Sequence, residues 1–213
     1  MQGSNHLLWI YRVYVGLFFL YLVAPLLAAG AFAFNDSTFP SLPWRGFTLD
    51  WFISDTEPKL GLLNDEPLLR GMWNSFYIGM IVAALSVAAG TCNAFLFVRK
   101  DFPFKSAFYV LMVVPLVIPG VILGISILVL ASMIANFADS QFGLFLTWLR
   151  PGVPLIVLGQ FSFLTTITSL VIAARLQKFD ISLEEAALNL GASRLRVLTT
   201  VTLPFLFPAL FSA

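Results

Sequence analysis

Five stretches of the chain carry no Asp, Glu, Lys, Arg or His: residues 13–34, 71–98, 106–138, 151–174 and 197–213. They are 22, 28, 33, 24 and 17 residues long. A helix that crosses a bilayer needs about 20 mostly apolar residues. The first four stretches each predict one complete crossing helix, and the fifth predicts the start of another. The 33-residue stretch exceeds one straight span. Pro115 and Pro119 predict a kink there, because each removes a backbone donor. Its last residues, Ile134 to Ala138, are expected at the interface. Unbroken apolar runs of this length exclude a β-barrel, which would show alternating segments of about ten residues. The fold class is therefore all-α: a polytopic helical membrane protein.

Composition agrees with the pattern. Of 213 residues, 59% are hydrophobic and 11% are charged, and the mean hydropathy is +0.91. Globular domains average roughly 45–50% apolar and about 25% charged. Disorder is excluded by the apolar content. Twelve Lys and Arg against eleven Asp and Glu leave no basic excess for a nucleic-acid partner. With one cysteine, Cys92, and one histidine, His6, no disulfide and no His/Cys metal set can be assembled. The first apolar run has a second reading as a signal peptide, since Arg12 precedes it and Ala31-Phe32-Ala33 has small-residue character. Its 22 residues exceed the usual length, and further spans follow, so retention as an anchor is favoured.

Charge gives the orientation. With the N-terminus cytoplasmic, the inner segments hold eight positive residues: Arg12, Arg99, Lys100, Lys105, Arg175, Lys178, Arg194 and Arg196. The outer ones hold four: Arg45, Lys59, Arg70 and Arg150. Positive residues concentrate on the inside of membrane proteins. Acids lean the other way, with Asp36, Asp50, Asp55, Glu57, Asp65, Glu66 and Asp139 outside. Residues 35–70 then form a long outer loop rich in Pro, Trp and acids, and residues 175–203 a long inner one. Loops of this length are often functional.

The spans contain no Asp, Glu, Lys, Arg or His, which argues against a proton-coupled carrier or a voltage sensor. Polar residues do occur: Asn93 in the second span, and Gln160, Ser162, Thr165, Thr166, Thr168 and Ser169 in the fourth. Two readings stand for Gln160, Thr165 and Thr166. They form interhelical hydrogen bonds, worth about 0.6 kcal/mol each, or they line a translocation path. Gly120 and Gly124 make a G-x-x-x-G spacing that allows close helix approach.

The inner loop is the informative segment. Ser182 followed three residues later by Glu185 is a capping box, so a helix is expected from Leu183. Leu183, Ala186, Ala187 and Leu190 share one apolar face. Gly191 is placed to stop this helix, because glycine accepts the left-handed conformation. Ser193 is placed to cap a second helix with Leu195, Leu198 and Val201 as its apolar stripe, and Pro204 to open the fifth span. An amphipathic helix lying on lipid would carry Lys and Arg on its polar face. This one carries Glu184 and Glu185, which suit a helix N-terminus. A protein partner is favoured.

This segment resembles the EAA loop of the permease subunits of binding-protein-dependent ABC importers. The family pattern is matched by Glu185-Ala186-Ala187, three residues, Gly191, nine residues, Val201 in place of Ile, one residue, then Leu203-Pro204. Phe34-Asn35-Asp36-Ser37, Trp44-Arg45-Gly46-Phe47-Thr48, Trp51, Asn74-Ser75, Arg99 and Phe179-Asp180 extend the resemblance toward the spermidine/putrescine branch. One departure is Leu116 after Pro115, where that branch carries an acid, which leaves other small polar solutes open. The resemblance implies a type I ABC importer permease fold with about six spans. The present chain would then be a partial, C-terminally truncated domain of four complete helices and part of a fifth. It implies a multi-pass protein of the bacterial inner membrane. The implied coupling residues are Glu184, Glu185, Ala186, Ala187, Gly191, Leu203 and Pro204, with the helix 183–191 docking on an ATPase. The implied partners are two copies of a cytoplasmic ATP-binding subunit, a second permease subunit, a periplasmic solute-binding protein and membrane lipid.

No glycine-rich phosphate loop is present, so nucleotide chemistry is expected on another polypeptide, and no cofactor is implied. Residues 35–70 are either a contact for the binding protein or a solvated connector with Trp44 and Trp51 at the headgroup level. Two rival classes remain. One is a membrane scaffold that docks an ATPase without transporting. The other is a membrane-embedded enzyme, for which no catalytic constellation is present.

Overall fold

The computed structural model describes residues 3–56 and 59–213. Glu57 lies outside these residues, and so does the side chain of His6. The chain divides into two compact units, 1–74 and 75–213.

The first unit opens with α1 (Gly3–Phe32), whose apolar side chains are exposed, as suits a helix surrounded by lipid. The loop that follows is built, not loose. Asn35 is fully buried and acts as its hub. Its side chain accepts from the Arg45 amide at 2.8 Å and donates to the Ser41 carbonyl, and its carbonyl accepts from the Trp51 indole at 3.0 Å. Two bonds, Asp36 N–H to Gly46 and Thr48 N–H to Phe34, close a small antiparallel bridge. Phe34 stacks on Phe47 above it. A one-turn helix, α2 (Asp50–Ile53), is capped at its C-terminal end by Asn64, whose amide donates to the Ile53 and Ser54 carbonyls. Gly61 is required here, since a Cβ would sit 2.6 Å from the Ile53 nitrogen. Lys59 bridges Asp36 and Asp50. Trp51 is thus turned into the loop's own frame, while Trp44 is exposed.

Next comes α3 (Glu66–Arg99), within which the unit boundary falls. The second unit continues with α4 (Lys105–Val117), α5 (Gly120–Phe142) and α6 (Val153–Leu176). The stretch 106–138 is therefore two helices, not one kinked span. A proline disfavours the helical conformation of the residue before it, and Ile118 is extended, with ψ 129°. Pro115 is tolerated inside α4. At 1.5 Å per residue α4 is only about 20 Å long, and α5 about 34 Å. Only α5 matches a hydrocarbon core of about 30 Å. The residues expected at the interface, Ile134 to Ala138, lie in the body of α5, with Ala135 and Ala138 buried.

Helix α6 is central and packs on α4, α5 and the last helix. Its contact with α3 is set by Val82, Ser86, Gly90 and Ala94, four apart and all buried. Thr168 donates to the Ser86 carbonyl at 3.0 Å, and a Cβ on Gly90 would meet the Thr168 hydroxyl at 2.4 Å. Nothing fills the space over Gly120 and Gly124, so the expected G-x-x-x-G face is not packed among the described residues.

The chain ends in α7 (Ser182–Asn189), α8 (Arg194–Val197), a π-helical turn over Leu198–Thr202 and α9 (Leu203–Ser212). Residues Arg194–Ser212 are one helical course, long and apolar enough to cross a membrane, as are α1, α3, α5 and α6. Pro204 does not open this span but lies within it. A proline ring crowds the carbonyl four residues back, and the wider π turn directly precedes it. The buried face runs through Val197, Thr202, Leu206 and Ala209, so the expected stripe is rotated and Leu195 is exposed.

Two outcomes follow for stability. Gly90→Ala should lower stability in detergent by about 1–3 kcal/mol, the range for overpacking. Gly124→Ala should raise it slightly, because alanine favours a helix by up to about 1 kcal/mol over glycine. Thermal midpoints of the purified variants check both signs. In the loop, the Thr48 hydroxyl and then Lys59 hold the Asp50 carboxyl below its ordinary value of 3.8. A depressed acid contributes stability above that value and loses it as pH falls through the lowered one. Protease cleavage within 36–63 should therefore appear at acid pH in the wild type and at neutral pH in Asn35→Ala.

Candidate functional site

The segment after α6 is anchored before it turns outward. Phe179 is buried and meets Phe205 edge-on at 5.1 Å. Phe205 lies under the Arg175 guanidinium at 4.2 Å. With Ala94, Ile172, Leu176 and Leu206, Phe179 completes an apolar cluster that joins the ends of α3 and α6 to α9.

Helix α7 starts at Ser182, one residue earlier than expected, and the capping box does not form. Asp180 caps instead, its carboxylate accepting the Ser182 amide at 2.9 Å. The Glu185 amide that the box would use donates instead to the Ile181 carbonyl at 3.2 Å. The bond from the Ser182 amide holds the Asp180 carboxyl below its ordinary range. The cap is therefore present at neutral pH and lost only as pH falls through the lowered value. At the other end, Gly191 adopts φ 85°, as its place predicts. Its amide donates to Leu188, and the Ala192 amide donates to Ala187 at 3.1 Å. This pair of bonds is the Schellman stop. Ser193 caps α8 by accepting from the Arg196 amide.

The predicted apolar face of α7 points away from the protein. Leu183 and Ala186 are exposed, Ala187 is half-buried, and Leu190 is 88% exposed. Glu185 is exposed as well. The adjacent Glu184 faces inward. Its two oxygens accept from the Arg99 guanidinium at 3.1 and 3.2 Å, and one of them also accepts from the Thr202 hydroxyl at 2.6 Å. Arg99 lies over the Phe179 ring at 5.4 Å. Leu203 and Pro204 stand at the start of α9, not on α7.

The three residues considered for a translocation path are not grouped. Thr166 is buried and donates to the Met112 carbonyl of α4 at 2.7 Å. The Thr165 hydroxyl is buried without a partner among the described residues. Gln160 is exposed on a groove of about 620 Å³ between α5 and α6, also lined by Gly120, Gly124, Leu155 and Phe163, and is the one polar side chain on its wall. Asn93 donates to Ser169, an interhelical bond. Sequence reasoning missed the Arg99–Glu184–Thr202 group. Its only local signal is the basic residue closing an apolar run, and nothing in the spacing pairs it with Glu184.

No family model matches the chain. The putrescine transport system permease protein PotI of Escherichia coli (strain K12) is 31% identical over 197 residues, covering 91% of this chain and 64% of that protein. The spermidine/putrescine transport system permease protein PotC of Haemophilus influenzae is 25% identical over 194 residues, 91% of this chain and 67% of the relative. The molybdate/tungstate transport system permease protein WtpB of Thermococcus kodakarensis is 31% identical over 160 residues, 75% of this chain and 59% of the relative. The chain therefore spans about 64% of the length of the first of these relatives. Helical and with several apolar spans, this chain is similar over about nine-tenths of its length to permease proteins of putrescine and spermidine transport systems.

Proposed function

We propose that this chain moves a small polar solute, polyamine-like, inward across the inner membrane, driven by ATP hydrolysis on separate cytoplasmic subunits that dock on α7. The observation that carries this reading is the outward face of α7. It is a two-turn helix that is capped at one end and stopped at the other, yet leaves Leu183, Glu185, Ala186 and Leu190 exposed. A face held this firmly and left bare suits a partner's cleft. Glu185, Ala186 and Ala187 belong to the docking helix, with small side chains that permit close approach, and Gly191 sets its end. Glu184 serves from the inner side.

The N-terminus is proposed to be cytoplasmic, on the eight-to-four division of positive residues. This puts α7 on the side where ATP is available. The loop built around Asn35 then faces outward, where a solute-binding protein would meet it. A second permease subunit would complete the path. The scaffold reading differs in one respect: it keeps the ATPase and conducts nothing.

Two measurements test this. Thiol labelling is done with a membrane-impermeant reagent in a Cys92→Ser background. Added outside, the reagent should label Thr38→Cys and not Lys178→Cys, and the reverse pattern would overturn the orientation. For coupling, the complex is purified through this chain and reconstituted in vesicles, with radiolabelled putrescine and molybdate as alternative probes. Uptake should require ATP, and Gly191→Pro should leave hydrolysis running while uptake stops. Normal uptake in Gly191→Pro would sink the docking role of α7. Hydrolysis without uptake in the wild type would favour the scaffold.

A further inference from the structure

A two-turn helix with no fully buried side chain has few ways to move what lies beneath it. Covalently, α7 is joined to α6 through residues 177–181 and to α8 through 190–193, both turns. Phe179 anchors the first turn, whereas residues 190–193 hold no buried side chain, so displacement of α7 would be partly absorbed in the second. A second connection bypasses them. The Arg99 fork, at the last turn of α3, holds both oxygens of Glu184, and Thr202, in the π turn that leads into α9, holds one of them again. Arg99 and Glu184 are only 18% and 22% exposed, so solvent screens the pair weakly. A bidentate guanidinium–carboxylate contact fixes orientation as well as distance. The Phe179 ring under Arg99 closes the remaining side.

We propose that Arg99, Glu184 and Thr202 form a clasp that carries displacement of α7 into α3 and α9. Arg99 and Thr202 are then positioning residues for coupling, remote from any ATPase contact. The inference rests on the docking of an ATPase at α7 proposed above. Two adjacent acids of the loop divide the work, Glu185 outward on the docking helix and Glu184 inward on the spans.

The test reads the movement of α3 itself. Cys92 is the lone cysteine, exposed on α3 and two turns before Arg99. The complex is purified through this chain with its ATPase and trapped with ATP and vanadate. Maleimide labelling of Cys92 is then followed on this chain alone. Trapping should change the labelling rate in the wild type. In Arg99→Gln and in Thr202→Val the change should shrink by about fivefold or more, the lower bound of typical coupling between sites, with the ATPase still bound. An unchanged response in both variants would overturn the clasp, and so would a wild type whose Cys92 does not respond. If Arg99→Gln fails to assemble, Thr202→Val decides, since it removes one hydroxyl and keeps the shape. Failure of the wild type to bring down an ATPase strikes a different target, the docking reading itself.

Discussion

The approach of the Thr168 hydroxyl to the Ser86 carbonyl, at 3.0 Å and shared with the Leu164 and Thr165 carbonyls of its own helix, sets α3 against α6. In a hydrocarbon environment a polar group has no water to fall back on, so it must find a partner inside the protein. Thr168 can reach that carbonyl only because Gly90 leaves the space a side chain would take. The approach sets the register of α3 on α6. Ala94 then falls beside Ile172 and Leu176, and the same rows lead on to Arg99 and Phe179. The site at the end of the bundle is therefore a consequence of packing several turns away. Polar residues of α6 serve the same end elsewhere, Thr166 toward α4 and Ser169 toward Asn93 of α3.

What was legible in the sequence follows from what is local. Apolar runs state which segments can cross a membrane, and each run yields a helix of sufficient length. A glycine at a helix stop and a serine at a helix start depend on a few neighbouring residues, and both behave as read. The prolines of the third run were visible, yet the outcome was a break. The decisive residue is Ile118, pressed out of the helical region by the proline that follows it. The capping box failed for another local reason, because the Glu185 amide is already taken by the Ile181 carbonyl.

What was not legible depends on direction. Periodicity identifies Leu183, Ala186, Ala187 and Leu190 as one face but cannot say whether that face looks in or out. Successive residues of an α-helix are about 100° apart, so Glu184 and Glu185 cannot both point the same way. The Arg99 charge, 85 residues away along the chain, decides between them. The outer loop makes the same point. Asn35 binds groups 6, 10 and 16 residues distant, and no short pattern encodes such a hub. Trp51, which composition alone would place at the headgroups, is drawn inward by its indole N–H.

A helix as short as α7 is not stable in isolation, since nucleation is unfavourable and two turns return few bonds. None of its side chains is fully buried, and only Glu184 and Ala187 are partly so. Its order must come from its ends and from one side chain: the Asp180 cap, the Gly191 stop and the Glu184 pair. The two ends fix only its shape. The Glu184 pair ties it to α3 and the π turn. Shape and attachment are thus separable in this loop. A change at Gly191 alters what a partner meets, whereas a change at Arg99 alters what the rest of the protein receives.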